Sequence, residues 1–233
     1  MNVDVLYSDE YLLAVAKPAG MVVHPTYKNK TGTLLDAVTS AVVPRPSIVG
    51  RLDKWTSGIV LVAKSRHVHA ALQRSLALPS AEKVYLAIVI GRPPASTGAV
   101  DLPLKVDPDD RRRVVAAADG APSLTHFELF ASRDVGRCCL SVLRCRPTTG
   151  RRHQIRVHLA EVGLPLLGDG VYGTGAPLID CGDPAVQTAI DRLPGQALHS
   201  WKVSFDHPAT GRRICVEAPI TGAMAALLGV FRA

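Results

Sequence analysis

The sequence predicts an α+β fold built on a mixed, mainly antiparallel central β-sheet with flanking helices. Three observations favour this class. The 233 residues are 47% hydrophobic, which is enough to bury a full core. Strand-like runs outnumber helical ones, and they do not alternate regularly with helices as a doubly wound parallel sheet requires. No internal repeat is visible, so we expect a single domain covering residues 1–233.

The predicted strands are short apolar runs bounded by turn residues. Residues 59–63 are continuously apolar (Ile-Val-Leu-Val-Ala), so we expect a central strand that is buried on both faces. Residues 84–90 follow the same pattern and end at Gly91. The other predicted strands are residues 3–7, 12–16, 124–131, 138–146, 199–206 and 213–218.

Helical periodicity occurs in three segments. In residues 65–78 the apolar side chains recur on one face, and Ser65 is placed to cap the N-terminus. Residues 154–162 carry a second apolar stripe, and Gly163 can close that helix. A third helix is predicted for residues 221–230. Two segments rich in Pro, Gly and Asp are predicted as long surface loops, namely residues 92–123 and 174–197.

The chain is basic, with 27 Lys and Arg against 20 Asp and Glu. Between residues 133 and 156 seven arginines accompany a single acid, so this stretch contributes nearly the whole net charge of +7. Because arginine grips phosphates with a planar fork, we expect segment 144–156 to bind phosphates. For a second cluster, Arg111–Arg113, phosphate binding and a solvated loop are equally compatible with the sequence. The seven arginines are Arg133, Arg137, Arg144, Arg146, Arg151, Arg152 and Arg156.

Composition excludes several other classes. The five cysteines, of which Cys181 is one, show no C-x-x-C spacing, so we expect free thiols. The eight histidines are scattered along the sequence, so we expect no metal site. The longest apolar run near the C-terminus has 14 residues, fewer than the roughly 20 that span a bilayer. The N-terminus is acidic, unlike a secretory signal. We therefore expect a cytoplasmic protein without a membrane partner.

Residues 50–58 are the most informative segment for chemistry. They place the carboxylate of Asp53 between two cations, Arg51 and Lys54, just before a Thr-Ser-Gly turn that leads into the buried strand. An acid at the mouth of a rigid strand is held in position, as catalysis demands. A surface acid paired with Lys54 is the alternative that the local pattern leaves open.

A second segment, residues 149–158, joins a turn to a helix. Such a junction presents backbone N–H groups to an anion, and several cationic side chains accompany it. Arg152 and Arg156 are one helical turn apart, so we expect them to share a face. His153 and His158 are five residues apart and lack the glutamate of a zinc-binding helix, so neither is predicted as a metal ligand.

These segments resemble those of a known family. Residues 51–58 (Arg-Leu-Asp-x-x-Thr-Ser-Gly) are similar to the active-site motif of the RluA family of RNA pseudouridine synthases. Residues 83–87 resemble the second motif of that family, and residues 149–159 resemble its third. Other segments match in order from about residue 4 to residue 220, including 9–25, 168–173, 198–199, 207–208 and 218–219.

The resemblance implies the pseudouridine synthase fold and an isomerase that flips a uridine out of structured RNA, either ribosomal or transfer RNA. Asp53 is then the essential carboxylate, which promotes breakage of the C1′–N1 bond before the uracil rejoins through C5. Arg156 would pair with Asp53 and keep it ionised. Tyr85 would stack on the base and help to remove the C5 proton.

The resemblance also implies how RNA is held. Arg51 would fill the gap that the flipped nucleotide leaves in the RNA stack. The reaction needs no cofactor or metal, and we expect a monomer without an obligatory protein partner. The predicted RNA-binding residues are Arg51, Lys54, Arg151, Arg152, His153 and Gln154.

The sequence departs from the family at two positions beside Asp53. Gly50 stands where members usually have His, and Trp55 replaces a residue that is commonly acidic, so we expect activity with altered local RNA contacts. Because the first family segment starts near Val3, we expect no N-terminal S4 RNA-binding domain. The alternative is a non-catalytic RNA-binding protein that keeps the fold. The presence of all three catalytic residues opposes it, and the scattered histidines oppose a hydrolase or metalloenzyme.

Overall fold

The structure, a computed structural model, describes residues 3–41, 46–136, 138–173 and 182–231. The helices are α1 (Leu34–Ala41), α2 (Arg66–Ser75), α3 (Gln154–Glu161), α4 (Pro184–Asp191) and α5 (Gly222–Val230). The strands are β1 (Asp4–Ser8), β2 (Leu12–Lys17), β3 (Ser47–Val49), β4 (Ser57–Ala63), β5 (Glu82–Ile90), β6 (Thr97–Asp101), β7 (Leu104–Val106), β8 (Val114–Ala116), β9 (Leu124–Val135), β10 (Cys138–Pro147), β11 (Leu198–Asp206) and β12 (Arg213–Glu217). Arg137, Cys181 and residues 174–180 of the second predicted loop lie outside the described residues.

The chain forms two compact units. The first unit contains Met1–Lys83 and His199–Pro219, and the second contains Val84–Leu198 and Ile220–Ala233. The single domain expected over residues 1–233 stays a prediction. Within the described ranges, none of the helices combines the length and apolarity that crossing a bilayer requires.

In the first unit, strand β4 is the centre of the sheet. It pairs antiparallel with β2 on one edge, while its other edge meets β3 antiparallel and β11 parallel. Strand β1 extends the sheet beyond β2, and β12 extends it beyond β11. Residues 58–63 of β4 are all buried, as the continuous apolar run predicts. Helix α2 packs its apolar face on this sheet through Val68 and Leu72.

In the second unit, strands follow the order β5, β10, β9 and β6, and each neighbouring pair is antiparallel. Helix α3 covers one face of this sheet, because Ile155 and Leu159 pack with Leu143 and Cys145 of β10. Strands β7 and β8 form a separate two-stranded hairpin. Its residues Leu104 and Val114 share a small core with Val157 of α3.

The predicted fold class is confirmed, since most strand pairs are antiparallel and helices flank the sheets. Two element predictions are wrong. Residues 92–123 are not only a loop, because they contain β6, β7 and β8. Residues 174–197 contain helix α4, which begins at Pro184 behind an Asp183 cap.

Helix α2 confirms its predicted cap but ends earlier than predicted. The Ser65 hydroxyl accepts the Val68 N–H at 3.3 Å, which satisfies a donor of the first turn. The helix ends at Ser75, three residues before the expected end, because the chain tightens there into i→i+3 turns. The N–H of Ala77 donates to Arg74 and that of Leu78 donates to Ser75.

Leu72 tests the packing of the first unit. Its side chain is fully buried in the core cluster, so Leu72→Ala should lower the free energy of unfolding by about 3 kcal/mol. The matched control is Leu78→Ala, because Leu78 is 51% exposed and the same truncation should change stability by less than about 0.5 kcal/mol. Urea denaturation measures both, and equal losses would contradict the assigned packing.

Candidate functional site

Residues 50–56 link β3 to β4 in the first unit and carry Asp53. Both sides of the turn are anchored. Leu52 is buried, and the buried Thr56 donates its backbone N–H to the Asp53 carbonyl at 3.1 Å. Asp53 itself is half-buried. Its carboxylate therefore extends from backbone that is held on both sides, as a catalytic acid or base requires.

The two cations predicted beside Asp53 are exposed. Arg51 extends from the segment before the turn, and Lys54 lies over the ring of Trp55 with Nζ 4.9 Å from the centroid. Trp55 in turn covers the Gly20 turn, where an added Cβ would lie 3.0 Å from the indole. The departure from the family at residue 55 therefore provides a packing contact in this chain.

Lys17 is a buried cation that the sequence did not identify as a site residue. Its Nζ donates to the carbonyls of Pro18 and Met21 at 2.9 Å and to that of Lys54 at 3.1 Å. Burial lowers the pKa of Lys17 to about 7, against the opposing effect of the Asp53 charge. An ammonium group has three donors and a neutral amine only two, so the charged form is the one that satisfies all three carbonyls. Lys17 thereby ties the end of β2 to the turn that carries Asp53.

A Ser–His pair fixes the start of β4. The Ser57 hydroxyl lies 2.8 Å from His199 Nδ1, and His199 Nε2 lies 3.3 Å from the Ala218 carbonyl. Because a carbonyl can only accept, Nε2 carries the proton and Ser57 donates to Nδ1. Burial lowers the pKa of His199, which favours this neutral form. The pair is formed across 142 residues of sequence.

The backbone at position 58, directly after Ser57, accepts only glycine. Its φ is +106°, and an added Cβ would lie 2.2 Å from the Ser200 carbonyl oxygen. The parallel pairing of Gly58 with Ser200 therefore has no room for a side chain. In the Thr-Ser-Gly turn, Thr56 is thus buried, Ser57 is hydrogen-bonded to His199, and Gly58 lies in close backbone contact with Ser200.

In the second unit, Gln154 shapes the loop before α3. It is buried, and its Oε1 accepts from the Thr149 hydroxyl at 2.7 Å and the Arg151 N–H at 3.0 Å. Its Nε2 donates to the Leu124 carbonyl and the Thr125 hydroxyl, both at 3.0 Å. These contacts assign Gln154 to the shape of the loop, and its direct contact with RNA stays a prediction.

Arg156 projects from α3 into a buried ion pair. Its Nε donates to Asp169 Oδ2 at 2.7 Å and its Nη2 to Oδ1 at 2.8 Å. Burial alone would raise the pKa of Asp169. The bonds and charge of Arg156, with the N–H groups of Val171 and Tyr172, bring that pKa below its ordinary value. Asp169 was not predicted as a site residue, and the pairing of Arg156 with Asp53 stays a prediction.

Arg152 does not share a helical face with Arg156, contrary to the prediction. Helix α3 begins at Gln154, so Arg152 lies in the turn ahead of it. Its guanidinium donates to the carbonyls of Arg111 and Arg112 at 3.0 and 2.9 Å. Arg152 therefore attaches the β7–β8 hairpin to the start of α3.

Tyr172 links the same elements. Its hydroxyl accepts the Val114 N–H at 2.8 Å and lies 2.7 Å from His153 Nδ1. The guanidinium carbons of Arg156 and Arg113 lie 4.9 Å and 5.6 Å, respectively, from the centroid of the Tyr172 ring. Tyr85, on β5, packs against the core cluster under α3.

The arginine-rich stretch is divided between two faces of the second unit. Side chains alternate along a strand, so Arg144 and Arg146 lie opposite the face that α3 covers. Arg144 stacks over Phe130 at 4.5 Å, and Glu128 lies 3.8 Å from Arg144 and 3.4 Å from Arg146. Segment 144–156 therefore presents arginines on two faces, and its binding of phosphates stays a prediction. Arg151, Arg152 and Arg156 alone remain near α3.

Comparisons with known proteins agree with these motifs. The family model described as RNA pseudouridylate synthase matches residues 11–161. "Ribosomal large subunit pseudouridine synthase D" of Nitrosomonas europaea is 40% identical over 98% of this chain, and the protein of the same name from Xanthomonas campestris is 39% identical over 98%. This chain spans 65% and 69% of their lengths, about two thirds.

Solved structures agree on the fold. "Human RNA Pseudouridylate Synthase Domain Containing 4" has a TM-score of 0.74 at 21% identity, covering 98% of this chain and 92% of that one. "Human RNA Pseudouridylate Synthase Domain Containing 1" has a TM-score of 0.72 at 21% identity, covering 100% and 95%.

Lys17 generates a pH prediction. Its folded-state pKa of about 7 lies below its ordinary value of 10.5, so the unfolded chain binds the proton more tightly between these values. Stability should therefore rise with pH in this window and be lost as pH falls towards 7. Relative to Lys17→Met, the wild-type free energy of unfolding should rise by roughly 1 kcal/mol per pH unit between about pH 7.5 and 10.

The measurement is urea denaturation at several pH values. Lys28→Met is the matched control, because Lys28 is exposed, and its difference from wild type should not change with pH. A constant difference for Lys17→Met as well would mean that the three carbonyls hold the ammonium charged up to its ordinary pKa.

Proposed function

The chain belongs to the RNA pseudouridylate synthase family, and we propose that it isomerises uridine to pseudouridine in structured RNA. The observation that carries the proposal is the anchoring of the Asp53 turn. Lys17, Leu52 and Thr56 hold that turn in place. A catalytic carboxylate needs such a fixed backbone, because its geometry relative to the substrate must be precise.

The chemistry assigned to these residues conserves atoms and electrons. The C1′–N1 bond of the uridine breaks, the uracil rotates, and C5 bonds to C1′. C5 loses a proton and N1, which carries no hydrogen in uridine, takes one up, so the product is an isomer and no redox partner is needed. We assign Asp53 to promoting the bond cleavage, Tyr85 to stacking on the base and accepting the C5 proton, and Arg156 to stabilising the ionised carboxylate.

We propose that the uridine is flipped out of its stack before reaction, since a base inside a helix cannot present C5 and C1′ to side chains. Arg51 would occupy the vacated position. Lys54, Arg151, Arg152 and His153 would contact neighbouring phosphates, and the cations of Lys54 and Arg151 are exposed, which suits that role.

For the substrate, we propose RNA of the large ribosomal subunit. The support is the name of the relatives, which are ribosomal large subunit pseudouridine synthases. Transfer RNA is the alternative that the family resemblance leaves open. We further propose that the protein acts as a monomer in the cytoplasm. Mapping pseudouridine in total RNA from cells with and without the gene separates the two RNA classes.

Asp53→Asn tests the catalytic assignment. The amide keeps the size of the side chain and removes its charge, so tritium release from RNA labelled at uridine C5 should fall by at least about 10³-fold. RNA binding should persist. Asp4→Asn, which changes an exposed acid on β1, is the matched control and should retain full release. Undiminished turnover by Asp53→Asn would remove Asp53 from its role, and no release by wild-type protein would favour a non-catalytic RNA-binding protein.

The charge of the α3 region can be tested separately. Arg151→Ala combined with Arg152→Ala should weaken RNA binding and reduce the slope of log K against log salt by about 2, because each phosphate contact releases about one counterion. Arg146→Ala removes a cation from the opposite face and should leave the slope unchanged. Fluorescence anisotropy at several salt concentrations measures both. Equal slopes for all three proteins would place the phosphate-binding surface elsewhere.

A further inference from the structure

Polar contacts attach the β7–β8 hairpin to the second unit, in addition to the small core that it shares with Val157. Arg152 donates to two carbonyls of its tip, and the Tyr172 hydroxyl accepts the N–H of Val114 at the start of β8. Arg111, Arg112 and Arg113 at the tip are exposed. Two of them are balanced by acids, because Arg112 pairs with Asp110 and Arg113 with Asp107.

Tyr172 is connected to Arg156 in two ways. Its ring lies 4.9 Å from the guanidinium carbon, within the range of a cation–π contact. Its backbone N–H donates at 3.2 Å to Asp169 Oδ1, the same oxygen that receives Arg156 Nη2. A shift of Tyr172 would therefore disturb both the stacking partner and the carboxylate partner of Arg156.

His153 adds backbone strain at the same place. It has φ +56°, and among the described residues it is the one non-glycine residue with positive φ. A left-handed backbone costs roughly 1 kcal/mol or more for such a residue. His153 is the N-cap residue of α3, yet its side chain makes no cap bond and instead contacts the Tyr172 hydroxyl. That contact holds the strained turn from which α3, and with it Arg156, begins.

We propose that Tyr172 is a positioning residue that couples the seating of RNA on the β7–β8 hairpin to the position of Arg156. The inference rests on the proposed function and deepens it. The ring contacts one arginine of the hairpin, Arg113, and one arginine of the site, Arg156. The hydroxyl joins the hairpin backbone to His153, the residue that precedes α3. Displacement of the hairpin by bound RNA thereby reaches Arg156 through the side chain of Tyr172, which contacts both.

Two substitutions separate the functions of the ring and the hydroxyl. Tyr172→Phe keeps the ring on Arg156 and removes both hydroxyl contacts, so KM for RNA should rise at least about five-fold while kcat stays within about two-fold. Tyr172→Leu removes the ring as well, and kcat should then fall at least about ten-fold. Tyr27→Phe removes the hydroxyl of a tyrosine that is 92% exposed and should change neither constant. Equal losses of kcat in both Tyr172 variants with unchanged KM would indicate a merely structural residue and overturn the proposal.

A double-mutant cycle with Arg113→Ala tests the coupling between the hairpin and Tyr172. In wild-type protein this change should raise KM about three-fold, whereas in Tyr172→Leu it should add little, because the ring that Arg113 contacts is already absent. Effects that multiply would show independent residues and overturn the coupling. The substrate is an unmodified transcript of large-subunit ribosomal RNA labelled with tritium at uridine C5.

A readout without turnover separates this proposal from the proposed function. Amide hydrogen exchange should be faster in residues 104–116 of Tyr172→Phe, with residues 66–75 of the first unit unchanged. Binding of the same transcript should also weaken by at least about five-fold. If wild-type protein releases no tritium, the isomerase assignment fails, and exchange and binding alone then decide the coupling. Unchanged exchange in residues 104–116 would overturn it.

Discussion

Among the described residues, each compact unit buries the head group of one lysine or arginine, and the segments that carry the motifs supply that head group with acceptors. A charged group removed from water costs several kcal/mol unless the protein replaces its hydration. Three carbonyls do so for Lys17, and one carboxylate does so for Arg156. The acceptors belong to the turns that carry or follow the motifs. The Asp53 turn contributes the Lys54 carbonyl, and the turn after Asp169 is organised by the same carboxylate that holds Arg156. These turns therefore cannot relax while the cations stay in place.

The sequence predicted the elements whose stability comes from a continuous or periodic apolar pattern. Strands β4, β5 and β10 are buried runs of that kind, and α2 has a capped apolar face. Strands β6, β7 and β8 were missed because each has only one buried residue, so pairing with a partner and not local pattern forms them. Helices α1 and α4, which were not predicted, begin at capping signals that are visible in the sequence. Thr33 and Asp36 exchange cap bonds at 3.0 and 3.2 Å, and Asp183 precedes Pro184.

In the candidate site too, some features could be predicted from the sequence and others could not. The family resemblance pointed to Asp53, Tyr85 and Arg156 as residue identities, but the contacts that hold the motif segments come from distant parts of the chain. His199 meets Ser57 across 142 residues, and no local pattern predicts such a pairing. The shared face expected for Arg152 and Arg156 was wrong because it assumed helix before Gln154, where the left-handed His153 begins the helix instead. Strand alternation likewise divides arginines that are close in sequence between two faces.

The charge arrangement at the tip of the β7–β8 hairpin has a kinetic consequence. Residues 107–113 contain three aspartates and three arginines, so the tip carries no net charge. Seen from beyond a Debye length, such a tip neither attracts nor repels a polyanion, and it adds nothing to the encounter rate. In the proposed complex with RNA, its arginines would act only after contact, when phosphates displace Asp107 and Asp110 from their partners. Under the proposed function, the hairpin would thus affect the lifetime of the complex, while cations elsewhere would govern the rate at which a complex forms.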